Sequence, residues 1–270
     1  MKKMKLSDQS RSEQILEDQL LYAGTTETPG EGVMEFKDPQ WGLVFDVDRC
    51  IGCEACVIAC NSENNIPVVG DKECARGRMM DWLHIERTYI GNKEAPTAEF
   101  VGMLCQQCGN APCESVCPVY AAQHTFDGLN AQIYPRCIGT RYCGQDCPYH
   151  VRVFNWFQPY FPHPLPEQLN PDVTVRSSGV MEKCTFCVQR IREAQRDARM
   201  AGKPLQDGEL RTACVQSCPT SALVFGDLHD PNSAVSKYLD ESDRTHKILE
   251  DKNTKPHVIY LKPQRVDEPF

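Results

Sequence analysis

Cys50-Ile51-Gly52-Cys53-Glu54-Ala55-Cys56-Val57-Ile58-Ala59-Cys60 is the stretch on which the reading of this chain turns. Its C-x2-C-x2-C-x3-C spacing brings three thiols out of one tight loop and carries the fourth to a second centre. An iron-sulfur cubane needs that supply, because four thiolates must arrive at its four corners. The run usually closes on a proline that ends the short helix, and Asn61 stands there instead. Three further groups repeat the grammar. They are Cys105-x2-Cys108-x4-Cys113-x3-Cys117-Pro118, then Cys137-x5-Cys143-x3-Cys147-Pro148, then Cys184-x2-Cys187 with a long excursion before Cys214-x3-Cys218-Pro219. Only Cys74 lies outside the pattern.

Short apolar segments flank the groups. Leu43-Val44-Phe45 and Phe100-Val101-Gly102-Met103-Leu104 precede the first two, and Tyr120-Ala121-Ala122, Val151-Arg152-Val153-Phe154 and Ala222-Leu223-Val224-Phe225 follow the three Cys-Pro pairs. Each has strand length. Asp127-Gly128, between Gln123-His124-Thr125-Phe126 and Ala131-Gln132-Ile133-Tyr134, signals a hairpin. The unit is strand, cysteine loop, short helix, strand, and two such units pair into one module. The expected fold is α+β with two ferredoxin-like modules, an inner one over 99–160 inserted between the halves 41–98 and 180–230 of an outer one. Residues 1–40 read as an extended polar arm, 161–179 as a proline-rich linker and 231–270 as a C-terminal extension; the arm and the stretch Lys255-Pro256-His257-Val258-Ile259-Tyr260-Leu261 serve subunit contacts, edge strands or local packing. Cys187 to Ala201 reads as a helix closed by Gly202 and Pro204. Its Arg190, Arg192, Arg196 and Arg199 form a solvated face or dock an acidic partner.

Composition removes the competing classes. Sixteen cysteines in 270 residues are about 6%, below the roughly 8–10% of short disulfide scaffolds. A net charge of −8, from 37 acidic and 29 basic residues, argues against nucleic-acid binding. No apolar stretch approaches the roughly 18 residues of a membrane span. Met1-Lys2-Lys3-Met4-Lys5 is basic but runs into polar sequence where a signal peptide would be apolar, so no secretion signal is expected. Zinc sites also use C-x2-C pairs, but as separated knuckles rather than four cysteines between residues 50 and 60. Attached haem needs C-x-x-C-H, whereas Gly109 follows Cys108 and Val188 follows Cys187. His84, His124, His150, His163, His229, His246 and His257 show no metal-ligand spacing and read as structural or surface residues. No P-loop, G-x-G-x-x-G, H-E-x-x-H or G-x-S-x-G motif is present, so no catalytic residue is expected.

The third group is informative for what it lacks. In Cys137-Ile138-Gly139-Thr140-Arg141-Tyr142-Cys143, Thr140 holds the place of a second cysteine. A threonine hydroxyl stays protonated at neutral pH, whereas a coordinated thiol is deprotonated outright. The corner iron loses its ligand, which predicts a [3Fe-4S] cluster on Cys137, Cys143 and one cysteine of the paired group. The alternative is a [4Fe-4S] cluster with Thr140, Asp146 or water on its fourth iron. By thiolate count each cluster carries about −2 and four take the chain to about −16. That charge calls for amide donors and cations, and Arg136, Arg141, Arg152 and Lys183 lie near ligands in sequence. They tune cluster potentials or are plain surface charge.

With Glu182-Lys183-Cys184-Thr185-Phe186-Cys187 and Cys218-Pro219-Thr220-Ser221-Ala222 in the last motif, residues 41–262 resemble the four-cluster iron-sulfur subunit of the complex iron-sulfur molybdoenzyme family. Thr140, Arg141-Tyr142-Cys143 and Phe154-Asn155-Trp156-Phe157 are most similar to the versions in alternative complex III and the periplasmic quinone reductase complex. The resemblance implies crossed ligation by Cys50, Cys53, Cys56 and Cys218; by Cys184, Cys187, Cys214 and Cys60; and by Cys105, Cys108, Cys113 and Cys147. It places the [3Fe-4S] centre on Cys117, Cys137 and Cys143 and leaves Cys74 an unliganded thiol. It implies a non-catalytic electron-transfer subunit with three [4Fe-4S] clusters and one [3Fe-4S] cluster in a membrane-associated quinone oxidoreductase. The implied partners are a large molybdopterin-oxidoreductase-like subunit, an integral membrane quinone-interacting subunit and a multihaem cytochrome c. The implied location is the periplasmic face of the bacterial inner membrane, with the cytoplasmic face as alternative. The rival function is a free soluble polyferredoxin.

Overall fold

The computed structural model describes residues 39–91, 94 and 96–264, so the N-terminal arm falls almost wholly outside the described residues. β1 (Trp41–Asp46) leads into the first cysteine loop and α1 (Ala55–Glu63) leaves it. The one-turn α2 (Asp71–Cys74) precedes the hairpin β2 (Leu83–Ile90) and β3 (Thr97–Leu104), which ends beside Cys105. Next come α3 (Pro112–Ser115), β4 (Ala122–His124), β5 (Asn130–Gln132), α4 (Tyr142–Gln145) and β6 (Val153–Phe154). Beyond the proline-rich connection lie β7 (Met181–Glu182), α5 (Val188–Ala201), α6 (Ala213–Ser217) and β8 (Leu223–Asp227). α7 (Ala234–Glu241), β9 (Thr245–His246) and β10 (Val258–Leu261) complete the described chain. Small, mainly antiparallel sheets and short helices fit the α+β class.

β1 is buried along its whole length because both its edges are paired. It runs antiparallel to β8, with Leu43 opposite Phe225, and parallel to β10, with Leu43 opposite Val258. The sheet order is therefore β8-β1-β10-β9. The C-terminal stretch is not an edge strand: β10 lies between β1 and β9 with every side chain buried, packed within the chain. Tyr260 joins the two sheets: its ring sits 5.8 Å from that of Phe45, its hydroxyl donates to the Gly102 carbonyl at 2.9 Å, and Gln106 donates to that hydroxyl. Gly102 is needed at this crossing, because a Cβ there would lie 2.5 Å from the Phe45 ring.

The short-range expectations hold with shifts of a residue or two. β4 pairs with β5 around Asp127-Gly128, and α5 ends on Gly202, whose φ of 62° lets its N–H reach back to Ala198 and Arg199. The segments after Cys117 and Cys147 become strands later than expected, at Ala122 and Val153. The reason is that Tyr120 and His150 sit in the left-handed region and extend the turn. β6 pairs with β7, closing the proline-rich loop at its base. Inside that closure Glu182 is fully buried and paired with Arg176 at 3.0 Å. Arg176 also donates to the carbonyls of Asn64 and Asn65, pinning the loop to the end of α1.

Candidate metal centres

Each cysteine loop depends on residues that can take positive φ. Gly52 and Glu54 in the first loop have φ of 67° and 59°, and Gly139 and Arg141 in the third have 74° and 62°. The two loops therefore turn alike, and Thr140 occupies in the third the place that Cys53 occupies in the first. Both glycines are also sterically required: a Cβ would lie 2.4 Å from the Phe100 ring at residue 52 and 2.4 Å from the Gly179 carbonyl oxygen at residue 139. A second device follows each Cys-Pro pair. Tyr120, His150 and Ser221 have φ of 50°, 53° and 52°, and each donates its N–H to the carbonyl of its cysteine. That turn aims the next N–H at sulfur, Ala121 onto Cys117 at 3.1 Å and Ala222 onto Cys218 at 3.2 Å. Burial would raise these two thiols, but backbone hydrogen bonds at Cys117, and the Thr220 hydroxyl with backbone hydrogen bonds at Cys218, outweigh it and hold both below the ordinary range.

The folded chain gathers the thiols across long stretches of sequence. Cys50, Cys53 and Cys56 line one cavity together with Cys218, under Phe45 and Ile85. Burial, then the Cys50, Cys218 and Cys53 thiols nearby, push Cys56 up to about 11. Cys60 belongs elsewhere: it is pushed well up by burial, then by Cys184, Cys187 and Cys214. Cys105, Cys108, Cys113 and Cys147 line a second cavity, and burial with the other three thiols pushes Cys108 up to about 12. Cys143 is raised by burial against the pull of Arg152, and the thiols beside it are Cys137 and Cys117. Thr140 stands exposed on the rim of that loop. Cys74 is exposed on α2, outside all four sets, and all sixteen cysteines are free of disulfides.

Thiols raised this far are protonated in neutral water unless something positive displaces the proton, and metal binding does that. A single tetrahedral zinc would draw four sulfurs to about 3.8 Å from one another. Two of the four sets line cavities of their own, which suits a polynuclear cluster. The cations supply a second test of fit. Arg152 is 7% exposed and Lys183 is 0% exposed, and their hydrogen-bond acceptors are neutral or thiol groups. Among the described residues the Nε of Arg152 has no hydrogen-bond partner. Buried cations need a compensating anion, and an anionic cluster on the adjacent thiols provides one.

The other two candidate cations lie on the surface. Arg136 donates to Gln123, and Arg141 stacks on Phe154 and Trp156 with its guanidinium 4.6 Å from the Trp156 ring centre. The α5 arginines are largely spent within the chain, Arg190 on Glu63 at 2.6 Å, Arg192 near Asp127 and Arg196 on Glu193 and Asp197. This favours the solvated-face reading. Among the histidines, His84, His124 and His163 contact glutamates and His257 contacts Gln40. Sequence reasoning missed the polar side chains that touch sulfur: Asn64 on Cys60 at 3.5 Å, Thr212 on Cys214 at 3.2 Å and Asn130 on Cys113 at 3.8 Å. Asn64 and Thr212 lie one helical turn and two residues from their cysteines, a spacing that could have flagged them. Asn130 comes from the hairpin and leaves no local signal.

Grouped thiols with amides aimed at their sulfurs are the features of an iron-sulfur protein of the electron-transfer class. No family model matches the chain. The iron-sulfur cluster-binding subunit of a menaquinone reductase from Nitratidesulfovibrio vulgaris is 43% identical over 235 residues, covering 84% of this chain and 90% of that protein. The iron-sulfur subunit 1 of an Hdr-like menaquinol oxidoreductase from Archaeoglobus fulgidus is 34% identical over 241 residues, 83% of each protein. A polysulfide reductase polypeptide from Wolinella succinogenes is 34% identical over 230 residues, 84% of this chain and 96% of that protein. The chain belongs to this family, the iron-sulfur electron-transfer subunits of the complex iron-sulfur molybdoenzymes.

Proposed function

We propose that the chain relays electrons through three [4Fe-4S] clusters and one [3Fe-4S] cluster between a quinone-interacting integral membrane subunit and a large molybdopterin-oxidoreductase-like subunit. The first cluster is held by Cys50, Cys53, Cys56 and Cys218, the second by Cys60, Cys184, Cys187 and Cys214, and the third by Cys105, Cys108, Cys113 and Cys147. Cys117, Cys137 and Cys143 hold the three-iron centre. The observation that carries this reading is that every thiol except Cys74 falls into one of four sets gathered across the chain, three of four and one of three. Packing supports two nested ferredoxin-like modules, since α1 packs on α6 and α3 on α4, joining the first cysteine group to the fourth and the second to the third.

Bound clusters supply one-electron carriers. The chain's own residues hold the sulfurs, aim N–H donors at them and exclude water. No helix among the described residues is long and apolar enough to cross a membrane. The proposed placement is peripheral, on the periplasmic face of the inner membrane, held there by partner subunits. Two of the relatives are named for menaquinone or menaquinol chemistry, which favours that substrate class for the complex. Purification from membranes tests this. The chain is expected to copurify with a larger subunit and a membrane subunit, and a menaquinol analogue added without oxygen is expected to bleach its visible absorbance. A fully clustered chain recovered alone from the soluble fraction, unreduced by the quinol, would support the free polyferredoxin instead.

A further inference from the structure

We propose that Arg152 and Lys183 set the redox order of the relay, raising the reduction potential of the cluster on Cys105, Cys108, Cys113 and Cys147, with Arg152 also raising that of the three-iron centre. The inference rests on the cluster assignment above and adds to it which centres are electron sinks. Arg152 itself lines the cavity of Cys105, Cys108, Cys113 and Cys147 and donates from Nη1 to the Cys113 sulfur at 3.3 Å. From the same place its charge acts on Cys143 and Cys117, the thiols of the neighbouring set. Lys183 is wholly buried, donates to the Cys184 carbonyl at 3.0 Å, and its charge also acts on Cys113. Cys113 is thus the thiol faced by two buried cations, and it packs in one apolar cluster with Cys143 and Met181. The cavity of the first set is lined instead by Phe45, Ile85 and Leu223 with Thr220 and Glu54, and no Lys or Arg is among its described lining residues.

The physical consequence has a definite sign. Reduction adds one negative charge to a cluster, and a fixed cation nearby stabilises the reduced form more than the oxidised one. In a site from which water is excluded that preference is not screened. Arg152 also has a structural task, since it donates to Asn130 and Gln132 of β5. The test therefore has to separate charge from scaffolding.

The experiment is an EPR-monitored redox titration of the assembled complex carrying wild-type, Arg152→Gln, Arg152→Lys or Lys183→Gln chain. At the ambient potential where the wild-type third cluster is half reduced, Arg152→Gln is expected to lower its reduced-to-oxidised ratio at least tenfold, about 59 mV for one electron. The three-iron centre is expected to move the same way, and Arg152→Lys to restore both within about threefold, about 28 mV by the same one-electron conversion. Lys183→Gln is expected to lower the third cluster and leave the three-iron centre in place. The first cluster serves as the internal control for every variant, and the second for the Arg152 variants, since Lys183 donates to the Cys184 carbonyl beside it. Unmoved potentials, or equal movement of all four, would overturn the proposal, as would Arg152→Lys behaving like Arg152→Gln. If Arg152→Gln fails to assemble, Lys183→Gln decides alone by whether the third cluster shifts. A wild-type complex without the four clusters would sink the assignment itself, whereas intact clusters with unmoved potentials sink only this inference.

Discussion

Cys218→Ala is expected to abolish the same EPR signal as Cys56→Ala, although the whole middle of the chain separates the two residues in sequence. Their thiols line one cavity, and each supplies a corner that no other cysteine in that cavity can take over. Cys60→Ala is expected to leave that signal intact and to abolish, with Cys184→Ala, a different one. Cys60 sits at the far end of the buried face of α1, where its neighbours are Cys184, Cys187 and Cys214. In each variant the iron content is expected to fall by up to about four per chain, the content of one cubane. Low-temperature EPR of the reduced protein with iron analysis reads the result. Loss of one common signal on replacing Cys56 and Cys60 would mean that each motif holds its own cluster, against the crossed assignment.

Thr140→Cys is expected to add about one iron per chain and to erase the EPR signal of the oxidised protein. The reason lies in the backbone. Gly139 and Arg141 give the third loop the same left-handed turns that Gly52 and Glu54 give the first, so a cysteine at residue 140 would present its thiol as Cys53 does. A hydroxyl there cannot follow suit, because it keeps its proton at neutral pH whereas a thiol is deprotonated by the metal. Thr140→Ser is accordingly expected to change neither iron nor signal. An unchanged oxidised spectrum in Thr140→Cys would favour a wild-type centre that already has four irons, with Thr140, Asp146 or water on the fourth.

Much of this was legible because it is local. The cysteine spacings, the Asp127-Gly128 hairpin and the Gly202 helix stop each lie within a few residues of chain, and the structure keeps the hairpin and the helix stop. What distance in sequence hides is pairing. Nothing in Val258-Ile259-Tyr260-Leu261 says that it lies parallel to β1 as an inner strand, since an apolar four-residue run reads equally as an edge. Burial of charge was hidden for the same reason. Arg136, Arg141, Arg152 and Lys183 look alike in sequence, yet the fold encloses the last two and leaves the first two on the surface. Lys183 follows β7 directly, and its buried ammonium donates to the Cys184 carbonyl. The missing ligand at Thr140 is visible without any fold, by setting one loop beside another.

The most direct test of the relay is EPR of the oxidised wild-type protein with spin quantitation, set beside its iron content. One spin per chain from a [3Fe-4S] centre is expected, with about 15 irons from three cubanes and one three-iron cluster. A silent oxidised spectrum with about 16 irons would contradict the three-iron centre, and a protein without iron would contradict the relay itself.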